Sequence, residues 1–145
     1  MRALLQRVSA ARVEVAREVI GAIGPGLLVL VGVQRADTPD HATRMAGRLL
    51  TYRVFDDGAG RMNLDVTQVH GGVLLVPQFT LAADTTRGRR PGFDPAAPPD
   101  QARTLFEALV AAVRAQHMAV ETGRFGAHMA VTLTNDGPVT FLLEV

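Results

Sequence analysis

The run Leu27-Leu28-Val29-Leu30-Val31 decides the fold, because it is apolar at every position. A strand with two apolar faces lies in the middle of a sheet, covered on both sides. Upstream, residues 4–8 and 13–15 also have strand character, and Gly24-Pro25-Gly26 separates them from the central run. The first third of the chain is therefore predicted to form strands of one sheet.

Two later segments have the apolar spacing of amphipathic helices. The first begins after Thr38, a good N-cap residue, with Pro39 at the first helical position. The second covers residues 100–117. Strand-like segments recur at Val73 to Val76 and on both sides of residues 135–138. Strands and helices are grouped rather than strictly alternating, which predicts one α+β domain over residues 1–145. We expect layered, mostly antiparallel β-sheets of sandwich or roll type, with the two helices covering one face.

Composition excludes several classes of protein. No apolar run approaches the roughly 20 residues of a membrane span, and Arg2 and Arg7 interrupt the N-terminus too early for a signal peptide. We therefore expect a cytoplasmic protein with no membrane partner. The net charge of +1 gives no general reason to expect nucleic-acid binding, although all 15 basic residues are Arg, which suits phosphate contacts.

Nucleophilic side chains are scarce. The chain has no Cys and no Lys, and Ser9 is its single serine, with no nucleophile elbow around it. The four histidines are scattered without metal-ligand spacing, so neither a metal nor another cofactor is expected. An enzyme with this composition has to use Thr, carboxylates, backbone groups or the substrate itself.

The segment Asn135-Asp136-Gly137-Pro138-Val139-Thr140 places a proline between two strand-like runs. Proline donates no ladder hydrogen bond, so Pro138 should lie at an edge or in a turn. The bond before it is of the type that adopts cis at a cost of only about 0.5–1 kcal/mol. These residues alone allow either a tight turn or a rigid dipeptide whose carbonyls take part in recognition.

Gln78-Phe79-Thr80 lies where an apolar strand meets the longest irregular stretch, residues 82–99. Phe79 is either core filler or a surface on which a base stacks. Thr80 has a hydroxyl but no adjacent general base in the sequence, and Gln78 either reads an adenine edge or caps the loop.

Basic residues stand out at two places. Arg87, Arg89 and Arg90 form a cluster inside the irregular stretch, either a solvated loop or a phosphate clamp. Arg7 lies in an otherwise largely apolar strand. It either faces solvent, which the sequence alone slightly favours, or holds backbone carbonyls in a site.

Together these pieces resemble the D-aminoacyl-tRNA deacylase family over essentially the whole chain. The family has two signatures, a Ser-Gln-Phe-Thr-like segment and an Asn-x-Gly-Pro-x-Thr segment, and both occur here in order. The matching blocks are Gly24-Pro25-Gly26-Leu27, Arg61-Met62-Asn63-Leu64, Gln78-Phe79-Thr80-Leu81, Gly88-Arg89-Arg90-Pro91, Glu121-Thr122-Gly123-Arg124-Phe125-Gly126 and Asn135-Asp136-Gly137-Pro138-Val139-Thr140.

The resemblance implies hydrolysis of the ester between a D-amino acid, or mischarged glycine, and the terminal ribose of tRNA. It also implies a homodimer, in which Gly137 and Pro138, joined by a cis peptide, enter the partner's pocket and exclude L side chains. Arg7 would hold this dipeptide. Gln78, Phe79 and Thr80 would form the catalytic segment at the tRNA 3′ end, and the active-site role of Thr80 competes with that of the substrate 2′-hydroxyl.

Further substrate-binding residues follow from the same resemblance. Met129 lies near the pocket in the family pattern, and Arg87, Arg89 and Arg90 are expected to contact tRNA. One position departs: Pro77 replaces the usual Ser before Gln78, which removes a hydroxyl and a backbone N–H. This departure raises one alternative, a relaxed deacylase that edits small L-amino acids. The cluster Arg87 to Arg90 raises another, a non-catalytic RNA- or DNA-binding protein.

Overall fold

A curved β-sheet organises the chain, and the predicted central run forms its middle strand. The computed structural model describes residues 1–86 and 88–145. The strands are β1 Arg2–Val15, β2 Glu18–Ile23, β3 Gly26–Gly32, β4 Phe55–Asp56, β5 Met62–Leu64, β6 Gly72–Pro77, β7 Val120–Thr122 and β8 Ala130–Glu144. The helices are α1 Pro39–Thr51 and α2 Pro99–Arg114, and a 3₁₀ helix spans Phe79–Ala82.

Strand β1 is the spine of the sheet. Its first half pairs antiparallel with β3, from Arg2 opposite Gly32 to Val8 opposite Gly26, and its second half pairs with β2. Strand β8 pairs antiparallel along the other side of β1, whereas β3–β6 and β6–β7 are parallel. A Cβ atom at Gly21 of β2 would lie 2.8 Å from the Thr122 carbonyl oxygen of β7, so the sheet nearly closes into a barrel.

The residues of β3 alternate between two apolar layers, as a strand with two buried faces requires. Leu27, Val29 and Val31 pack in the layer that the helices cover. Leu28 packs in a second layer inside the curved sheet, with partly buried Leu30 against it. The helices contribute their predicted apolar stripes to the first layer: Ala42, Met45, Ala46, Leu49 and Leu50 from α1, and Ala102, Leu105, Phe106, Leu109, Val110 and Val113 from α2. The α+β arrangement with both helices on one face is therefore confirmed.

The segment around Pro138 corrects a local expectation. The two predicted strands are one continuous strand, β8, and the chain does not reverse direction, so the tight-turn alternative is wrong. Thr140 pairs with Gln6 and Asn135 pairs with Val8, which leaves residues 136–139 bulging opposite Arg7. The Gly137–Pro138 peptide is cis. Proline is tolerated here because a bulge needs no ladder hydrogen bond.

Smaller differences concern short elements. Thr38 caps α1 and Pro39 is its first residue, as predicted, whereas α2 ends at Arg114 rather than at residue 117. Strand β4 has only two residues, Phe55–Asp56, and pairs antiparallel with β5. In the part of the chain that the structure describes, neither helix is long and apolar enough to cross a membrane.

Candidate functional site

The candidate site is a cavity of about 720 Å³ between the end of β6, the start of α2 and the segment before β8. It brings together four residues that the sequence singled out, Pro77, Gln78, Phe79 and Met129, and adds Phe93 and Phe125. Its walls are therefore largely apolar and aromatic, as in sites that bind small organic ligands.

Pro77 ends the strand that carries the site. The Gly123 N–H donates to the Leu75 carbonyl at 2.8 Å, which is the last hydrogen bond between β6 and the segment that follows β7. Pro77 comes two residues later, where its missing N–H would have faced that neighbour. The Gln78 N–H then donates to the Val31 carbonyl at 2.7 Å, and the chain turns into the 3₁₀ helix.

Phe79 is a surface aromatic rather than core filler. Its side chain is 58% exposed, and Phe93 beside it is 42% exposed. The two ring centroids are 5.1 Å apart with a 49° tilt. An exposed aromatic pair at a cavity wall offers the kind of platform on which a nucleobase stacks.

Thr80 is held by its neighbour rather than activated. Its hydroxyl oxygen accepts a hydrogen bond from the Gln78 side-chain amide. Among the described residues, no carboxylate or imidazole is hydrogen-bonded to this hydroxyl, so it lacks the adjacent base that a nucleophile requires. The backbone N–H groups of Phe79 and Thr80 also have no acceptor among the described residues, as expected at the start of a helix.

Met129 lines the cavity next to the segment that follows β7. Its sulfur accepts a hydrogen bond from the Arg124 N–H at 3.4 Å. A Cβ atom at Gly123 would lie 2.8 Å from this sulfur and 3.4 Å from Pro77 Cδ. Gly123 therefore lets Met129 and Pro77 approach each other.

Arg7 and the bulge form a second, separate cluster, which does not line the cavity. Arg7 donates from Nη1 to the Val54 carbonyl at 2.6 Å and from Nε to the Asp136 carbonyl at 3.1 Å. The Asp136 carboxylate is 3.2 Å from the same Nε. The slightly favoured solvent-facing interpretation of Arg7 is wrong, because its side chain is only 15% exposed and binds backbone carbonyls.

Asn135 ties the bulge from the other side. Its Nδ2 donates to the Arg7 carbonyl at 2.9 Å and to the Val139 carbonyl at 3.0 Å, so one side chain spans the base of the bulge. The dipeptide Gly137-Pro138 at its tip is exposed to solvent. In the sequence, Asn135 is recognisable only as part of a motif, and no local signal indicates this structural role.

The predicted arginine cluster is only partly described. Arg87 lies outside the described residues, and Arg89 and Arg90 are exposed without lining the cavity. Their loop is closed by paired backbone hydrogen bonds of 2.8 and 2.9 Å between Asp84 and Gly92. The Thr86 hydroxyl and N–H donate to the Asp84 carboxylate and hold its pKa below its ordinary value, so this carboxylate is ionised at neutral pH.

Two basic residues that no sequence motif indicates, Arg35 and Arg103, lie at the cavity or beside its wall. Arg35 lines it, and the Arg103 guanidinium carbon lies 5.2 Å from the ring centroid of Phe125. They come from distant parts of the chain with no motif around them, so no sequence signal indicated them. No group of three or more His, Asp or Glu side chains suited to a metal ion occurs in the described part of the chain.

Comparisons with known proteins agree with this geometry. Residues 4–144 match the family described as D-Tyr-tRNA(Tyr) deacylase. D-aminoacyl-tRNA deacylases of Azotobacter vinelandii and Ectopseudomonas mendocina are each 62% identical to the chain, over 99% and 100% of both sequences respectively.

Solved structures extend the likeness to the fold. One described as a c-Myc DNA unwinding element binding protein has a TM-score of 0.96 at 36% identity, covering 100% of this chain and 99% of the other. A probable eukaryotic D-amino acid tRNA deacylase has a TM-score of 0.83 at 18% identity, covering 99% and 98%, and shares the fold. The expected family and enzyme class are confirmed, and the chain belongs to the D-Tyr-tRNA(Tyr) deacylase family.

Proposed function

We propose that this protein hydrolyses the ester bond between a D-amino acid, or mischarged glycine, and the 3′-terminal ribose of tRNA. The observation that carries the proposal is the cavity, which exposed Phe79 lines in a chain of this family. Among the described residues, the backbone N–H groups of Phe79 and of Thr80 next to it have no acceptor. The enzyme acts in the cytoplasm, without a cofactor.

The residues of the cavity divide the work between binding and catalysis. The terminal adenine stacks on Phe79, and Gln78 lies beside it to read the base edge. The N–H groups of Phe79 and Thr80 stabilise the charge that develops on the ester oxygen. An aminoacyl ester is already activated, so positioning and this stabilisation account for most of the acceleration.

The 2′-hydroxyl of the substrate, rather than Thr80, activates or orients the attacking water. The Thr80 hydroxyl accepts from an amide, which cannot remove its proton, and none of the described residues supplies a base there. Substrate assistance requires no side-chain nucleophile, which suits a chain without Cys or Lys and with Ser9 as its single serine.

Rejection of L-aminoacyl-tRNA depends on a homodimer. Gly137 and Pro138 are exposed, anchored by Arg7 and Asn135, and have no place in the cavity of their own subunit. In the proposed dimer they enter the partner's cavity, where their carbonyls crowd the α-carbon of the substrate. A D side chain or glycine is accepted and an L side chain clashes, which is specificity by exclusion.

The discriminating experiment uses purified protein with D-tyrosyl-, glycyl-, L-alanyl- and L-tyrosyl-tRNA. We expect release of amino acid from the first two substrates only, measured by loss of aminoacyl-tRNA with time. Release from L-tyrosyl-tRNA would contradict exclusion by the Gly-Pro unit. Analytical ultracentrifugation of the same preparation tests the dimer.

Replacement of Thr80 separates the two mechanisms. We expect Thr80→Val to retain kcat within about tenfold of the wild type, since it removes a hydroxyl that binds Gln78 but leaves the backbone N–H groups in place. Loss of all turnover in a folded Thr80→Val protein would favour the covalent mechanism. Conversely, we expect a substrate ending in 2′-deoxyadenosine to be hydrolysed far more slowly by the wild type.

Two alternatives are tested by the same four substrates. A deacylase for small L-amino acids is favoured by Pro77, which alters the wall beside Met129, and would release L-alanine. A nucleic-acid-binding protein without turnover is favoured by the likeness to the c-Myc DNA unwinding element binding protein, and would release none of the four.

A further inference from the structure

We propose that Arg35 and Arg103 bind the phosphodiester groups of the tRNA 3′ end as it leaves the cavity. This inference rests on the proposed function, because it assumes that the terminal adenosine occupies the cavity beside Phe79. A terminal adenosine in that position still carries its 5′ phosphodiester, and the chain of phosphates must cross the cavity rim.

The residues at the cavity have the positive charge that a chain of phosphates requires. The titratable residues among those lining the cavity are Arg35 and His128, and none of the described Asp or Glu residues lines it. Arg103 lies on Phe125, itself part of the wall. Neither arginine has a carboxylate within 4.0 Å in the described part of the chain, unlike Arg2, Arg7 and Arg12.

Arg35 is carried by a loop that its neighbours hold in place. Its own Nε donates to the Asp94 carbonyl at 3.1 Å, while the Gln101 side-chain amide donates to its carbonyl at 3.1 Å. The Asp37 carboxylate, itself buried, accepts from the Gln34 N–H at 2.6 Å. The loop therefore presents Arg35 at a fixed place, and the terminal guanidinium nitrogens have no acceptor among the described residues.

Arg103 is oriented by an aromatic ring rather than by hydrogen bonds. Its guanidinium carbon lies 5.2 Å from the Phe125 ring centroid, a cation–π distance. The ring restrains the guanidinium, whose N–H groups have no acceptor in the described part of the chain and can form a fork with phosphate oxygens. Arg35 lines the cavity and Arg103 lies on a residue of its wall, an arrangement that suits a phosphodiester chain leaving the cavity.

Two substrates separate this role from catalysis. One is D-tyrosyl-tRNA, and the other is 3′-O-(D-tyrosyl)adenosine, which fills the cavity but has no phosphate. We expect Arg35→Gln and Arg103→Gln each to lower kcat/KM on the tRNA about 3- to 10-fold, the size of one charge-assisted contact at an exposed site. On the adenosine ester, both variants should have the same kcat/KM as the wild type.

Salt dependence gives a second readout that a structural role would not move. On the tRNA, log kcat/KM falls as log salt concentration rises, and each variant should make this fall less steep by about 0.7, the value for one lost phosphate contact on a single strand. Arg114→Gln is the matched control, because Arg114 lies in the last turn of the same helix as Arg103. Arg35→Lys, which keeps the charge, should retain most of the activity and the slope.

The outcomes that overturn the inference are distinct from failure of the proposed function. If Arg35→Gln and Arg103→Gln behave like Arg114→Gln on the tRNA, these arginines bind no phosphate. An equal loss on both substrates would assign them to the cavity itself and would also overturn the inference. A wild-type protein inert on both substrates would remove the proposed function and this inference together.

Discussion

Gly26→Ala is expected to destabilise the protein by at least about 3 kcal/mol, because the new methyl group has no space. A Cβ atom at this position would lie 2.0 Å from the Gly72 carbonyl oxygen and 2.6 Å from the Gly72 nitrogen. Both contacts are with backbone, so no side chain can rotate away to relieve them. Gly26 and Gly72 are paired residues at the start of the parallel β3–β6 ladder, so separating them disturbs the centre of the sheet.

The measurement is the free energy of unfolding from urea denaturation, with the slope of the transition checked for two-state behaviour. Gly24→Ala is the matched control, since a Cβ atom there would meet nothing within 4 Å and the residue lies in the same turn. We expect the control to change stability by no more than about 0.5 kcal/mol. Equal stability of the two variants would contradict the close approach of Gly26 to Gly72.

The central strand and both helices were predictable because each is specified locally. A strand of five consecutive apolar residues is stable only where both of its faces are covered, which is the middle of a sheet. Apolar residues at helical spacing indicate a helix whatever element the helix packs against. Strands β2 and β7 were missed because β2 is largely exposed and β7 has three residues. The continuity of β8 was hidden because its partner strand is more than a hundred residues away.

The candidate site likewise contains residues that the sequence indicated and residues that only the fold brings together. Gln78 and Phe79 were found because they belong to a contiguous motif at the end of a strand. The rest of the cavity lining includes Phe93, Phe125 and Met129, which only the folded chain brings to Gln78 and Phe79. The sequence shows Asn135 as part of a motif. Its two side-chain hydrogen bonds across the bulge could not be predicted, because they depend on the register between β8 and β1.

Arg7→Ala is expected to lower the preference for D-tyrosyl-tRNA over L-tyrosyl-tRNA by at least about tenfold, or roughly 1.4 kcal/mol. The change removes the hydrogen bonds to the Val54 and Asp136 carbonyls and the ion pair with Asp136. Exclusion by a backbone carbonyl requires that the carbonyl cannot retreat from the incoming side chain. Without these bonds the bulge can move away from an L side chain. The ratio of kcat/KM for the D-substrate to that for the L-substrate should therefore fall because the L-substrate is hydrolysed faster, while hydrolysis of the D-substrate is kept.

Arg12→Ala is the control for this prediction, because Arg12 lies on the same strand and its ion pair is with Glu14, two residues away. Asn135→Ala weakens the same bulge from its other side. The loss of preference for the D-substrate in the double variant should therefore be smaller than the sum of the losses in the two single variants. The measurement is kcat/KM for both tRNAs, with folding and dimerisation verified for each variant. An Arg7→Ala dimer that keeps the wild-type ratio would show that rejection of L-substrates does not depend on Gly137 and Pro138 being held in place, and would direct attention to the cavity wall formed by Pro77 and Met129.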